Sequence, residues 1–158
     1  MSTVLETATA RNIEELMKIE RECFAAEAYT RGQILFLLNS RNSIAPMVRL
    51  NSDVAGFAIG VIETSRGLKI GHIVTIDVAV KYRRRGVAQI LLSELEKRLS
   101  NKGATAMYLE VRIDNRAARR LYEKQGYEEA ESLEHYYPYG VRGMRLVKRL
   151  DLKQSASS

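Results

Sequence analysis

The stretch HIVTIDVAVKYRRRGVAQILLSELEKRLSNKGATAMYLEVRI, residues 72 to 113, changes its hydrophobic period twice. HIVTIDVAV (72 to 80) is rich in β-branched residues and predicts a largely buried strand. Val87, Leu91, Leu95 and Leu99 then recur at helical spacing, until Asn101 and Gly103 end the pattern. AMYLEVRI (106 to 113) alternates as a strand does. Strand, helix and strand in this length form a βαβ unit, whose crossover is right-handed and whose strands lie parallel in one sheet.

Outward from this unit, Val4 to Ala8 alternates, and Asn12 stands as a helix N-cap with Glu15 three residues on. Ile13, Leu16, Met17, Cys23 and Phe24 supply the apolar side of that first helix. Thr30 and Gln33 repeat the capping-box pattern before a short second helix that ends near Asn39. Ala45 to Leu50 and Val54 to Glu63 flank Asn51-Ser52-Asp53 as an antiparallel hairpin, and Ser65-Arg66-Gly67 breaks the chain. After residue 113, Asp114 or Asn115 caps a further helix with Ala118, Leu121 and Tyr122 inward, ending at Gly126. Two last strands, 127 to 137 and 141 to 149, turn around Pro138-Tyr139-Gly140. Residues 1 to 150 read as one domain, and the small, polar residues 151 to 158 as a disordered tail.

Of 158 residues, 46% are hydrophobic and 28% charged, a globular composition, and no apolar run approaches the roughly 20 residues of a membrane-spanning helix. The N-terminus lacks the basic and apolar regions of a secretory signal, so the reading is cytoplasmic. One cysteine, Cys23, with His72 and His135 makes too few ligands, wrongly spaced, for structural zinc; no metal is expected. The net charge of +6 attracts anions without naming one.

The segment YRRRGVA (82 to 88) decides which anion. It lies where a strand ends and a helix begins, so the backbone N–H groups of Arg84 through Ala88 lack intrahelical partners and face outward with the positive end of the helix dipole. Gly86 allows a turn or a close approach, Ala88 is small, and the arginines add charge-assisted donors. Neither a Walker lysine nor Gly-x-Gly-x-x-Gly is present. The loop reads as a different kind of pyrophosphate cradle.

Arg83-x-x-Gly86-x-Ala88 after TIDVAV resembles the acyl-coenzyme-A signature of the GNAT acetyltransferases. YLEVRIDNRAARRLYEKQGY (108 to 127) is similar to the LEVR-x-x-N-x-x-A-x-x-LYE block of their N-terminal acetyltransferase branch, which includes the bacterial ribosomal-protein alanine acetylase and archaeal relatives. GHIV before the strand and YYPYG near the end extend the resemblance to roughly residues 3 to 150. It implies an α/β (α+β) GNAT fold, a single domain with a mixed, splayed central sheet of about seven strands flanked by about four helices. It implies acetyl-coenzyme A as co-substrate, held by the backbone of Ile76, Asp77 and Val78, by the loop Arg83, Arg84, Arg85, Gly86, Val87 and Ala88, and by Asn115 and Tyr122. Protein or peptide N-termini are the implied substrate and ribosome association an implied possibility; oligomeric state stays open.

Acetyl transfer from a thioester to an amine needs a neutral nucleophile, a stabilised oxyanion and a proton for the departing thiolate. An α-amine, with a reference pKa of about 8, is an easier nucleophile than a lysine at about 10.4. Glu110, which shares a strand face with Tyr108 and Arg112, matches the family's proposed base; a structural ion pair with Arg112 or another arginine is the alternative. His72 is a rival base, and Asp77, where a small residue is usual, places another carboxylate near the cofactor path or on the opposite sheet face. Tyr122 matches the family's general acid, although core packing alone would also explain a tyrosine there. Asn115 matches a cofactor contact or is simply a helix cap. In the resembling enzymes Tyr136 and Tyr137 form one wall of a peptide groove and the loop bearing Glu27 and Tyr29 forms the other. Arg142-Gly143 departs from the acidic residue and alanine of close relatives, so their preference for particular N-termini is not carried across.

Three other functions compete. A lysine or small-amine acetyltransferase of the same fold would gather acidic residues around the amine entrance. A basic nucleic-acid-binding module would use Arg83 to Arg85, Arg116, Arg119 and Arg120, but no recognised nucleic-acid motif is present and aromatics do not interleave with the basic run. An acyl-coenzyme-A sensor would bind cofactor and leave every amine unmodified.

Overall fold

A computed structural model describes residues 2 to 150. The disordered tail expected at 151 to 158 lies outside the described residues. The strands are β1 (Thr3–Thr7), β2 (Ser43–Ile44), β3 (Pro46–Leu50), β4 (Asp53–Ser65), β5 (Leu68–Val78), β6 (Ala106–Arg112), β7 (Glu128–Leu133) and β8 (Gly143–Arg149). The helices are α1 (Ile13–Phe24), α2 (Arg31–Leu38), α3 (Val87–Asn101) and α4 (Arg116–Lys124). They form one mixed sheet in the order β1-β3-β4-β5-β6-β8-β7, with β2 paired to β4. The described residues thus form a single-domain α/β fold with eight strands and four helices. The strand beyond the seven expected is the two-residue β2.

β5 and β6 are parallel, as the βαβ pattern requires, but pair only over Ile70↔Ala106, Gly71↔Met107 and His72↔Tyr108. Beyond His72 the strands part. β6 continues in register with β8, while β5 stays on β4 as far as Val78, which opens a wedge in the middle of the sheet. β5 also begins earlier than expected, at Leu68, because Arg66 and Gly67, both at positive φ, turn β4 directly into it.

A β-bulge at Val74, where Ile59↔Thr75 is followed by Gly60↔Ile73, reverses the faces of β5. Before the bulge, Gly71 faces α3, and a Cβ there would stand 3.0 Å from Leu99 Cδ1. After it, Asp77, of the same parity, lies beside Glu20 of α1 instead. One residue of slip therefore carries Thr75 and Asp77 to the face that α1 covers.

α3 lies close on β4 and β5 because Gly56, Gly60 and Gly71 present no side chain to Leu91, Leu95 and Leu99. Those leucines join Leu16, Met17, Ile34, Met47, Phe57, Ile59 and Met107 in one buried core. The Thr30 and Gln33 capping box forms, with Thr30 Oγ1 accepting from Gln33 N–H at 3.1 Å, a cap worth ~1 kcal/mol. Asn12 stands at the N-cap position of α1 as expected, but its side chain makes no cap bond there. Thr9 caps a 3₁₀ turn over Ala10–Asn12 that leads into α1, and Asn12 Oδ1 accepts from Thr9 N–H at 3.0 Å. Asn115, not Asp114, caps α4, with Oδ1 accepting from Ala118 N–H at 3.1 Å. The last two strands are shorter than expected, because the chain between β7 and β8 leaves the sheet to form a loop containing a 3₁₀ turn, Pro138–Gly140.

Candidate active site

Two clefts occupy the wedge and run into one another, sharing Cys23, Phe24, Ile76, Asn115 and Ala118. The first, about 750 Å³, is bounded by the end of β5, the start of α3 and one side of α4. Arg83, Arg84, Gly86, Val87 and Ala88 line it together with Ile76, Val78 and Asn115. Arg84 and Gly86 take φ of 65° and 78°, so this loop coils through left-handed conformations into the helix N-terminus. A Cβ at Gly86 would meet nothing within 4 Å; glycine is needed there for its backbone angle, not for room. Arg83 acts as a strut: Nε donates to Val78 O at 3.2 Å and Nη2 to Cys23 Sγ at 3.4 Å. Arg85 does not line the cleft, and its guanidinium lies over the Tyr82 ring, 5.7 Å from the centroid. The end of α4 adds Arg120, which the sequence assigns only to the nucleic-acid alternative, and Lys124 and the following Gln125, which it does not single out.

The second cleft, about 840 Å³, has Glu110 and Tyr122 in its lining, with Glu27, Tyr29, Tyr136 and Tyr137 around it. His72 is not in the lining but stands behind Glu110, with Nε2 2.7 Å from Glu110 Oε1. Its ring stacks on Tyr108 at 4.4 Å between centroids, and Nδ1 is 3.7 Å from Glu63 Oε2. Arg145 Nε donates to the other Glu110 oxygen at 3.2 Å. Burial pushes the Glu110 carboxyl up, but the bonds and charges of His72 and Arg145 outweigh it and hold the group below the usual carboxylate range. Glu110 is thus fixed in orientation and ionised at neutral pH. Arg112, the partner considered first from sequence, instead holds Glu27 and Asp114. Glu63 and Arg145 were not legible as neighbours of this group, because each comes from another strand.

Tyr122 is buried, and burial together with the nearby Asp77 and Tyr137 pushes its phenol well above the usual tyrosine range. It remains a protonated donor at any ordinary pH. Tyr136 and Tyr137 meet edge to face at 4.9 Å, and Gly143 leaves room for them, since a Cβ there would stand 3.0 Å from Tyr137 Cε2. Tyr139 is fully exposed and lines neither cleft. Asp77 is fully buried and its side chain reaches neither cleft, so it is not placed to act as a base on a substrate amine. The carbonyl of Val78, one of the expected backbone contacts, already accepts from Cys23 and Arg83. Among the described residues no three His, Cys, Asp or Glu side chains gather as a metal site, and no helix is long and apolar enough to cross a membrane.

The model of the acetyltransferase (GNAT) family matches residues 13–127. The chain belongs to the GNAT acetyltransferase family. Among its relatives, the N-alpha-acetyltransferase of Sulfurisphaera tokodaii is 29% identical over 145 residues, 86% of each chain. The [ribosomal protein bS18]-alanine N-acetyltransferase of Escherichia coli is 38% identical over 88 residues, 56% of this chain and 57% of that one. These relatives support the N-terminal acetyltransferase branch. The fold matches that of Ard1 from Thermoplasma volcanium with a TM-score of 0.85, over 96% of this chain and 99% of that one at 24% identity. In this GNAT acetyltransferase the wedge between β5 and β6 is therefore the feature around which the site is built.

Proposed function

We propose that the protein transfers an acetyl group from acetyl-coenzyme A to the N-terminal α-amine of a protein or peptide, directly and without an acyl-enzyme. The observation that carries this reading is the second cleft: Tyr29, Tyr136 and Tyr137 join Tyr122 in its lining, while three of its four carboxylates are held by arginines, Glu110 by Arg145 and both Glu27 and Asp114 by Arg112, the fourth being the buried Glu20. A polyamine needs uncompensated acidic groups spaced for its several ammoniums. A peptide needs apolar walls with hydrogen-bonding edges, which tyrosine supplies. Likeness to relatives named for N-alpha and ribosomal-protein alanine acetylation points the same way.

Coenzyme A fits the first cleft on the chemistry of its donors: free N–H groups at a helix start and the guanidiniums of Arg84 and Arg120, facing a space wide enough for a nucleotide. When bound, it supplies the acyl group as a thioester. Glu110 accepts the proton that the amine loses as its nitrogen bonds to the acyl carbon, and His72 behind it takes up or passes on that proton. Tyr122 donates a proton to the sulfur as the carbon–sulfur bond breaks. Tyr29, Tyr136 and Tyr137 hold the peptide between the α1–α2 loop and the β7–β8 loop. Cys23 is not assigned a covalent role, because burial first and then Asp77 push its thiol above the usual range despite Arg83. Arg83 Nε and Arg119 Nη1 donate to Val78 O and Ile113 O, which leaves each fewer donors for a nucleic-acid phosphate. The cytoplasm is the compartment this reading assigns.

Specificity tests it. With acetyl-coenzyme A fixed, kcat/KM for a short peptide with a free N-terminus should exceed that for spermidine by at least about tenfold. The reverse order would make it a small-amine acetyltransferase.

A further inference from the structure

Two buried carboxyl groups are not used by the proposed chemistry: Glu20, in the lining of the second cleft, and Asp77 behind it. Glu20, on α1, is 1% exposed and Asp77, on β5, is fully buried. Each has one oxygen accounted for. Asp77 Oδ1 accepts from the Thr75 hydroxyl, and Glu20 Oε2 accepts from the Tyr29 N–H at 3.0 Å. Their other oxygens, Oδ2 and Oε1, are buried with no donor among the described residues, and Glu20 lies near enough to Asp77 for its charge to push the Asp77 carboxyl up. Two ionised carboxylates so placed would be buried, adjacent and like-charged, which proteins avoid by protonating one of them. A single proton satisfies both orphaned oxygens.

We propose that Glu20 and Asp77 share one proton as a carboxylic acid–carboxylate pair, and that this pair positions the α1–α2 loop so that Tyr29 stands as a wall of the substrate cleft. The second half rests on the reading of that cleft given above. The connection is continuous: the Thr75 hydroxyl to Asp77, the shared proton to Glu20, and Glu20 to the Tyr29 backbone. It ties β5, just past its bulge, to the loop through α1. The same loop carries Glu27, which reaches across the cleft to Arg112.

The groups facing the pair are Cys23 from α1, Thr75 from β5, Arg83 from the phosphate loop, Tyr122 from α4 and Tyr29 from the loop itself. Arg83 is the one cation among them and draws Asp77 down, but burial first and Glu20 second hold its carboxyl well above the usual carboxylate range. The sign follows. A carboxyl raised in the folded state contributes stability that is full below the ordinary value of about 3.9 and is lost as pH rises through the raised value. Above it, two buried charges repel, Glu20 withdraws and the Tyr29 N–H loses its acceptor.

The test uses the full chain and needs no turnover for its first arm. Carboxyl carbon shifts of Glu20 and Asp77 should show that the pair holds one proton at pH 7. Hydrogen exchange at the Tyr29 amide, corrected for intrinsic rate, should lose protection about tenfold or more as the pair gives up its proton. In Asp77→Asn, whose amide donates to Glu20 at every pH, Tyr29 protection should stay level. In the second arm, KM for the peptide should rise over that same pH range in the wild type and not in Asp77→Asn. Both carboxyls ionised at pH 7, or the same pH dependence of Tyr29 protection in both proteins, overturns the proposal; the carboxyl titration of the wild type decides even where the variant fails to fold. Success of the first arm with a peptide KM indifferent to pH would leave the pair standing and overturn the reading of the cleft.

Discussion

Replacing Glu110 by Gln removes a charge without removing a shape. The amide can still meet His72 Nε2, now 2.7 Å from Oε1, and Arg145 Nε, now 3.2 Å from Oε2, so the fold should hold and coenzyme A should bind as before. What disappears is the proton acceptor. A positioned general base contributes about 10²- to 10⁴-fold, or about 2.7 to 5.5 kcal/mol of barrier. Here the lower half of that range applies, since His72 and Arg145 hold Glu110 below the usual carboxylate range and make it a weak base. The expected loss in kcat/KM at pH 7 is about 10²- to 10³-fold. With an amine pKa of about 8, about one-tenth of the nucleophile is neutral at pH 7 and about nine-tenths at pH 9, so the defect should narrow about tenfold between them. Initial rates from thiol release at both pH values, with coenzyme A affinity measured alongside, make the assay. Wild-type rates at pH 7 with unchanged affinity would refute the assignment.

Gly86→Glu should abolish coenzyme A binding by calorimetry, Gly86→Ala should weaken it about five- to tenfold through ~1 kcal/mol of left-handed strain, and Arg84→Ala should weaken it without abolishing it. Tyr122→Phe should lower kcat about 10- to 100-fold with unchanged coenzyme A affinity, as the loss of a proton donor to the leaving sulfur requires. Gly56→Ala would set a Cβ 2.6 Å from the Asp77 backbone oxygen, and should cost about 2 kcal/mol or more, read as a fall in Tm of at least about 4 to 8 °C.

Much of the fold was legible because its signals are local. The βαβ unit, the Thr30 capping box and the hairpin at Asn51 and Ser52 each announce themselves within a few residues. The loop at Gly86 was legible for the same reason, although the structure moves Arg85 away from the cleft and turns Arg83 into a strut. The Val74 bulge was not legible. A period-two reading assumes unbroken alternation, and one extra residue in β5 reassigns every side chain after it, which is why the face of Asp77 stayed open. Nor could the surroundings of Glu110 be read. Glu63, His72 and Arg145 come from β4, β5 and β8, and only strand order brings them together. The short β7, nearly all exposed, carries too little apolar pattern to mark its own end.

The most direct measurement is to incubate the protein with acetyl-coenzyme A and a panel of peptides that each carry a free α-amine and an internal lysine, and to locate the added acetyl group by mass spectrometry. The account predicts acetylation at the first residue, with lysines unmodified and release of one coenzyme A per acetyl group transferred. Acetyl groups found only on lysine side chains, or on no peptide at all while coenzyme A still binds, would contradict it.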